Sequence, residues 1–201
     1  MCIQFEQAAD RKTIVERFHL VLPTEMPDRD EFRPTNEALI IDTGTETPGS
    51  PRSRLLAWGI PAPWDGKPLV NARSETLTEK KTFSPLLENR CLVPATAYFE
   101  WRKDGRLRFK NRITPRNNGI VAFAGLYSEH TFTVITCNPA AEIAAVHNRM
   151  PVILEEDTEK LWLDRSRPFA EVADLLSPYG NNRLTAVEET PPKPKQPDLF
   201  S

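Results

Sequence analysis

Between residues 91 and 137 the chain is crowded with strand-forming runs. Four follow one another there: 91–102 (CLVPATAYFEWR), 106–113 (RLRFKNRI), 119–127 (GIVAFAGLY) and 131–137 (TFTVITC). They are rich in the β-branched and aromatic residues that suit a pleated, half-buried surface. Asp104-Gly105, between the first two, is a hairpin signal. Further strands are expected at 38–42, 53–58, 151–154 and 183–188. Residues 8–20 space Ile14, Val15 and Phe18 along one helical face, with Asp10 as cap. Short helices are expected at 83–90, with Pro85 in the first turn, and at 139–146, with Asn138 as N-cap and Pro139 at the first position. Two more follow at 157–164 and 168–176, while the proline-rich stretch 60–68 reads as a rigid loop. Strands interleaved with short helices, and few clean βαβ units, predict an α+β fold. Its sheets are mixed and mainly antiparallel, in a barrel-like core with peripheral short helices.

The length of 201 residues suits one domain, expected over 1–190. Residues 191–201 hold four prolines and are expected to be a disordered tail. A net charge of −2 gives no general attraction to nucleic acid, so any such surface must come from local clustering of Arg and Lys. Cys2, Cys91 and Cys137 form no CxxC pair, so neither a disulfide framework nor a zinc site is expected, and no motif suggests a metal or organic cofactor. The first twenty residues are too charged for a signal peptide, and no apolar run reaches membrane-spanning length. A cytoplasmic protein with reduced thiols is expected.

Cys2 is the residue with the most distinctive chemistry. Removal of Met1 would leave a thiol and an α-amine on one residue. Their unperturbed pKa values are about 8.5 and about 7.7–8.0, so each is partly nucleophilic near neutrality. The amine can attack an aldehyde to give an imine, and the thiol can then close on the imine carbon as a five-membered thiazolidine. Having both nucleophiles on one residue makes the second attack intramolecular. A ring-opened abasic deoxyribose presents such an aldehyde. Taken alone, a cysteine at position 2 is incidental.

Three further segments accompany it in order: Asn71-Ala72-Arg73-Ser74-Glu75-Thr76, Tyr98-Phe99-Glu100-Trp101, and His147-Asn148-Arg149-Met150-Pro151. With Met1-Cys2, Trp58-Gly59, Trp64 and Arg90-Cys91-Leu92-Val93-Pro94-Ala95, they resemble the SOS-response-associated peptidase family over roughly residues 1–155. The resemblance implies autoproteolytic loss of Met1 and a thiazolidine between Cys2 and abasic sites in single-stranded DNA. It implies that Asn71 positions the reacting end, that Glu100 is the general acid/base, and that His147 assists proton transfer. Read without it, Asn71 caps the segment after it, Glu100 faces solvent, and His147 meets the dipole at a helix C-terminus.

The resemblance also places DNA contacts on Arg73, Lys81, Thr136 and Arg149, with Pro63 and Trp64 at a loop tip beside the lesion. Trp64 could stack on a base or pack in the core; Trp58 is expected in the core. Arg106, Arg108, Lys110 and Arg112 recur at period two, as a phosphate-binding stripe or a solvated outer face. Ile3 and Gln4 depart from the family's usual Gly-Arg after the cysteine, and Glu31 from its usual asparagine. In the tail, Gln196, Leu199 and Phe200 resemble a bacterial sliding-clamp-binding motif on a proline-rich tether. Abasic-site crosslinking and its reversal, by a monomer at the nucleoid, is the expected activity. A thiol peptidase acting in trans, or a non-enzymatic clamp-tethered DNA-binding module, stays open as an alternative.

Overall fold

The computed structural model describes residues 2–44, 50–180 and 182–189. Its centre is a closed ring of five strands: Glu37–Thr43, Pro51–Trp58, Arg90–Ala95, Val121–Tyr127 and Thr131–Cys137. Around the ring, Pro51–Trp58 pairs with Glu37–Thr43, which pairs with Arg90–Ala95, then Val121–Tyr127, then Thr131–Cys137. All these pairs are antiparallel. The ring closes where Thr131 and Phe132 pair parallel with Ala57 and Trp58. Closure leaves no free edge along the ring. Three short strands, Asn71–Arg73, Met150–Pro151 and Ile153–Leu154, extend it.

A second, antiparallel sheet runs Leu184–Glu189, Leu107–Pro115, Ala97–Asp104, Phe5–Glu6, Glu31–Phe32. The two layers share one core. Phe5 stacks on Phe32 at 5.4 Å and meets Trp58 and Phe123 of the ring edge-on at 4.8 and 6.1 Å. Trp58 is fully buried, as expected, and its indole N–H donates to Val70 O at 2.8 Å. Every residue of Val121–Tyr127 is buried, which is why that run is apolar throughout rather than alternating.

Several elements follow the sequence closely. Helix Arg11–Phe18 begins at Asp10, whose carboxylate accepts the Thr13 N–H at 2.8 Å. It buries Ile14 and Phe18, while Val15 stays 38% exposed. The 104–107 hairpin turns through Gly105 at φ 57°. Other elements differ. The run 91–102 is two strands in two sheets. The chain leaves the ring at Thr96, whose N–H donates to Glu6 O, and Ala97 onward pairs with Phe5–Glu6 and Leu107–Pro115 instead. Residues 139–146 form turns, not a helix. Bonds spanning three residues (Ile143 N–H to Ala140 O, Val146 N–H to Ile143 O) alternate there with bonds spanning four, so no continuous α-ladder develops. At 83–90 only a 3-10 turn, Ser84–Leu86, forms. The loop 60–68 contains a minimal hairpin, Ile60–Pro61 against Pro68–Leu69.

Candidate active site around Cys2

Cys2 enters the core just before Phe5–Glu6 and is 1% exposed. Its backbone and side chain are held from three directions. The Asn71 carboxamide, 69 positions away, donates to Cys2 O at 2.7 Å. The Cys2 thiol donates to Gln4 O at 3.4 Å, and that same carbonyl accepts the Phe99 N–H at 3.0 Å. Gln4 is 1% exposed, and its side-chain amide donates to the Glu31 carboxylate. Thus two of the three positions that depart from the family pattern, 4 and 31, are hydrogen-bonded to each other.

Asn71 is not a cap: it opens the short strand Asn71–Arg73, parallel to Thr131–Cys137. Glu100 lies on Ala97–Asp104, and strand alternation divides that segment cleanly. Phe99 lies under the Lys110 ammonium on the outer face, 4.0 Å from ring centroid to nitrogen. Tyr98 and Glu100 therefore face the interior, and Glu100 is 2% exposed, not solvent-facing. Burial raises its carboxyl pKa from the usual 4.5 to about 7. The Cys2 thiol is pushed well up by burial and by the Glu100 charge. Two negative charges are costly together here, so a proton on sulfur is favoured while Glu100 is ionised.

His147 is half-buried, with Nδ1 3.8 Å from Glu100 Oε1. The Arg149 N–H donates to Nδ1 at 3.1 Å. The Arg149 carbonyl lies 3.2 Å from the same nitrogen, so the Arg149 backbone offers Nδ1 both a donor and an acceptor. Burial lowers the His147 pKa, in keeping with a neutral imidazole. No helix dipole is involved, because the preceding segment is not helical. Cys2, Asn71, Glu100 and His147 are thus one cluster, assembled from four separate segments.

The residues expected to touch DNA divide into two groups. Arg73, Lys81, Pro63 and Trp64 are exposed, Trp64 at 70% on the tip of the 60–69 hairpin. Thr136 is fully buried, and its hydroxyl donates to Ala72 O at 3.4 Å. Arg149 is 9% exposed, and its guanidinium binds Glu75 at 2.5 and 2.9 Å, Thr136 O at 2.6 Å and Asn138 Oδ1 at 3.2 Å. Both sit beneath the surface that carries Arg73. Two of the four residues of the period-two stripe are paired with carboxylates: Arg112 meets Glu6 at 2.6 Å and Lys110 meets Glu189 at 3.0 Å. Gln196, Leu199 and Phe200 lie outside the described residues. Among the described residues, no three His, Cys, Asp or Glu side chains converge as metal ligands would, and no helix is long and apolar enough to cross a membrane.

The fold and site together define a class: a mainly antiparallel ring-and-sheet α+β protein that buries a second-position cysteine beside a carboxyl, an imidazole and a carboxamide. The chain belongs to the SOS response associated peptidase (SRAP) family, whose model matches residues 1–190. It is 31% identical to the abasic site processing protein YoqW of Bacillus subtilis, with 100% of this chain and 99% of that protein covered. It is also 31% identical to the abasic site processing protein YoaM of the same organism, over 94% of this chain and 90% of that protein. A crystal structure of a Bacteroides thetaiotaomicron protein superposes with a TM-score of 0.80 at 25% identity, covering 93% of this chain and 91% of that one.

Proposed function

We propose that this protein processes abasic sites in single-stranded DNA by covalent capture on Cys2. Met1 is first removed by hydrolysis at the Met1–Cys2 bond, which frees the α-amine. The amine adds to the C1′ aldehyde of the opened sugar and water leaves, giving an imine. The thiol then gives its proton to the Glu100 carboxylate, and sulfur attacks the imine carbon. The C=N pair moves to nitrogen, which takes a proton, and the thiazolidine closes. A carboxyl with a pKa near 7 can accept and return protons at neutral pH. Reversal of the crosslink uses the same groups in the opposite order. Asn71 holds the Cys2 backbone so that amine and thiol face one side, and His147 serves proton transfer at the sugar.

The observation that carries this reading is the assembly of Asn71, Glu100 and His147 around Cys2 from distant parts of the chain, in a family whose named relatives are abasic site processing proteins. Arg73 and Lys81 contact phosphates, and Pro63 and Trp64 wedge beside the lesion, with Trp64 stacking on a base. Arg149 and Thr136 support Arg73 from below. The protein works as a monomer at the nucleoid, and Gln196, Leu199 and Phe200 of the tail tether it to the sliding clamp.

The decisive experiment incubates the protein with a single-stranded oligonucleotide bearing one abasic site. A denaturation-resistant adduct is expected, Cys2→Ala abolishes it, and intact mass shows loss of Met1. An undiminished adduct in Cys2→Ala would overturn the mechanism.

A further inference from the structure

Arg149 links the surface of the site to His147. Its main chain meets the imidazole twice at one atom: the N–H donates to Nδ1 at 3.1 Å, and the carbonyl oxygen lies 3.2 Å from it. Its side chain reaches Glu75. Nη1 and Nη2 donate to the two carboxylate oxygens at 2.5 and 2.9 Å, Nη2 also to Thr136 O at 2.6 Å, and Nη1 to Asn138 Oδ1 at 3.2 Å. Nε is buried and has no hydrogen-bond partner among the described residues. Glu75 is thus the carboxylate that balances a cation only 9% exposed. It lies in the 3-10 turn Ser74–Thr76, directly after the strand Asn71–Arg73, and its side chain is 46% exposed. The Arg149 hydrogen bonds hold its carboxyl below the usual 4.5, so it is ionised at neutral pH. A two-pronged pair of this kind fixes direction as well as charge.

We propose that Glu75 is a positioning residue: its carboxylate fixes the Arg149 guanidinium, and the Arg149 backbone in turn sets the His147 imidazole against Glu100. The role rests on the covalent-capture reading above and adds a residue to it. Glu75 touches no reacting atom and exchanges no proton. Its effect passes from carboxylate to guanidinium, through Arg149 to its own backbone, from there to Nδ1, and from the ring to Glu100 Oε1 at 3.8 Å. A buried cation that loses its counter-charge is costly and turns toward water. Here that movement drags the backbone atoms on which Nδ1 rests. Thr136 O and Asn138 Oδ1 remain as acceptors, but neither bears a charge. Electrostatics acts on the same ring. Burial lowers the His147 pKa, and the positive charges of Lys103 and Arg149 lower it further. Without Glu75 the Arg149 charge acts undiminished. Misplacing a proton-transfer group by about 1 Å can cost on the order of a hundredfold in rate.

The test is Glu75→Gln, which keeps the shape and removes the charge. Four quantities are measured in wild type and variant. They are the rate of adduct formation at saturating abasic oligonucleotide, the affinity for that oligonucleotide and its salt dependence in a Cys2→Ala background, the His147 pKa by imidazole NMR (assigned with His147→Gln), and Tm. Adduct formation at pH 7 is expected to slow about tenfold, with affinity unaltered. The His147 pKa is expected to fall, and Tm to move by no more than about 4 °C. Glu75→Asp, which keeps the charge, is expected to lie between wild type and Glu75→Gln. An unchanged rate, a His147 titration that does not move, or a Glu75→Asp variant as slow as Glu75→Gln would each overturn the role. Tighter DNA binding at an unchanged rate, with a salt slope steeper by about one, would also overturn it, and would show that Glu75 withholds Arg149 from phosphate. If wild type forms no adduct, covalent capture fails, and the His147 titration then decides alone: a fall in Glu75→Gln upholds the link from Glu75 to His147, and a level value removes it.

Discussion

Glu100 is the residue at which folding and ionisation conflict most directly. Burial holds its carboxyl at about 7 against a usual 4.5. Below pH 4.5 it is protonated in both folded and unfolded chains and has no effect on the balance. Between 4.5 and 7 the folded state binds the extra proton, so its contribution to stability is lost as pH rises through that window. Above 7 the folded state carries the full cost of a buried charge, on the order of 3 kcal/mol. Glu100→Gln has no charge to bury. Its Tm relative to wild type is expected to climb by several degrees between pH 4.5 and 8, as followed by thermal melts across that range, while adduct formation collapses. A Tm difference that does not vary with pH would contradict the burial of a titrating carboxyl. At the same scale, Gln4 and Glu31 show how two departures from a family pattern can be one change. Each looks independent in the sequence, 27 positions apart, yet they share a hydrogen bond.

The Ile60–Leu69 hairpin is the element whose construction best explains its position. Gly59 enters it at φ 125°, a conformation that disfavours side chains, and a Cβ there would collide with Pro68. The Gly59 N–H donates to Phe132 O at 2.8 Å, pinning the base of the hairpin to the ring. Ala62 N–H to Lys67 O and Gly66 N–H to Ala62 O fold the tip back on itself. Trp64 is thereby held out in solvent by a rigid arm. Trp64→Ala is expected to leave stability within about 0.5 kcal/mol, since little contact is lost. In a Cys2→Ala background, its affinity for abasic single-stranded DNA by fluorescence anisotropy is expected to fall roughly tenfold, the size of one lost base stack. Unaltered affinity would remove Trp64 from the DNA surface. The 139–146 segment shows the opposite relation between sequence and element. Its composition suits a helix, but Ala140 N–H donates to Met150 Sδ at 3.1 Å and Arg149 ties Asn138 to Glu75. Tertiary bonds at its N-terminal end hold the start of the segment, and its turns deliver His147 to Glu100.

The whole molecule is a ring, a second sheet and a C-terminal helical layer, and Arg90 clasps the last of these to the first. Its side chain is fully buried, with Nε donating to Trp162 O at 2.6 Å and Nη2 to Asp164 O and Arg167 O at 2.6 and 2.8 Å. Helices Glu159–Leu163 and Phe169–Val172 are very short, so packing and these bonds must hold them. Arg90→Ala strands three carbonyls and leaves a cavity. A loss of about 3–5 kcal/mol in denaturant unfolding is expected, and Arg90→Lys, which cannot reproduce the planar fork, should restore little of it. A loss under about 1 kcal/mol would show that the clasp is dispensable. Local pattern alone determined the strand-forming runs from 91 to 137, the Asp10-capped helix and the Gly105 hairpin, because each depends on neighbours within a few residues. The ordered motifs at Cys2, Asn71, Glu100 and His147 likewise singled out the four residues that the fold brings together. Only the tertiary structure decided that Glu100 is buried, that Arg149 and Thr136 lie beneath the surface, and that 91–102 bends between sheets at Thr96. Burial and pKa depend on which distant segments close over a residue, and that information is fixed by the ring's closure and its packing against the second sheet, not by spacing along the chain.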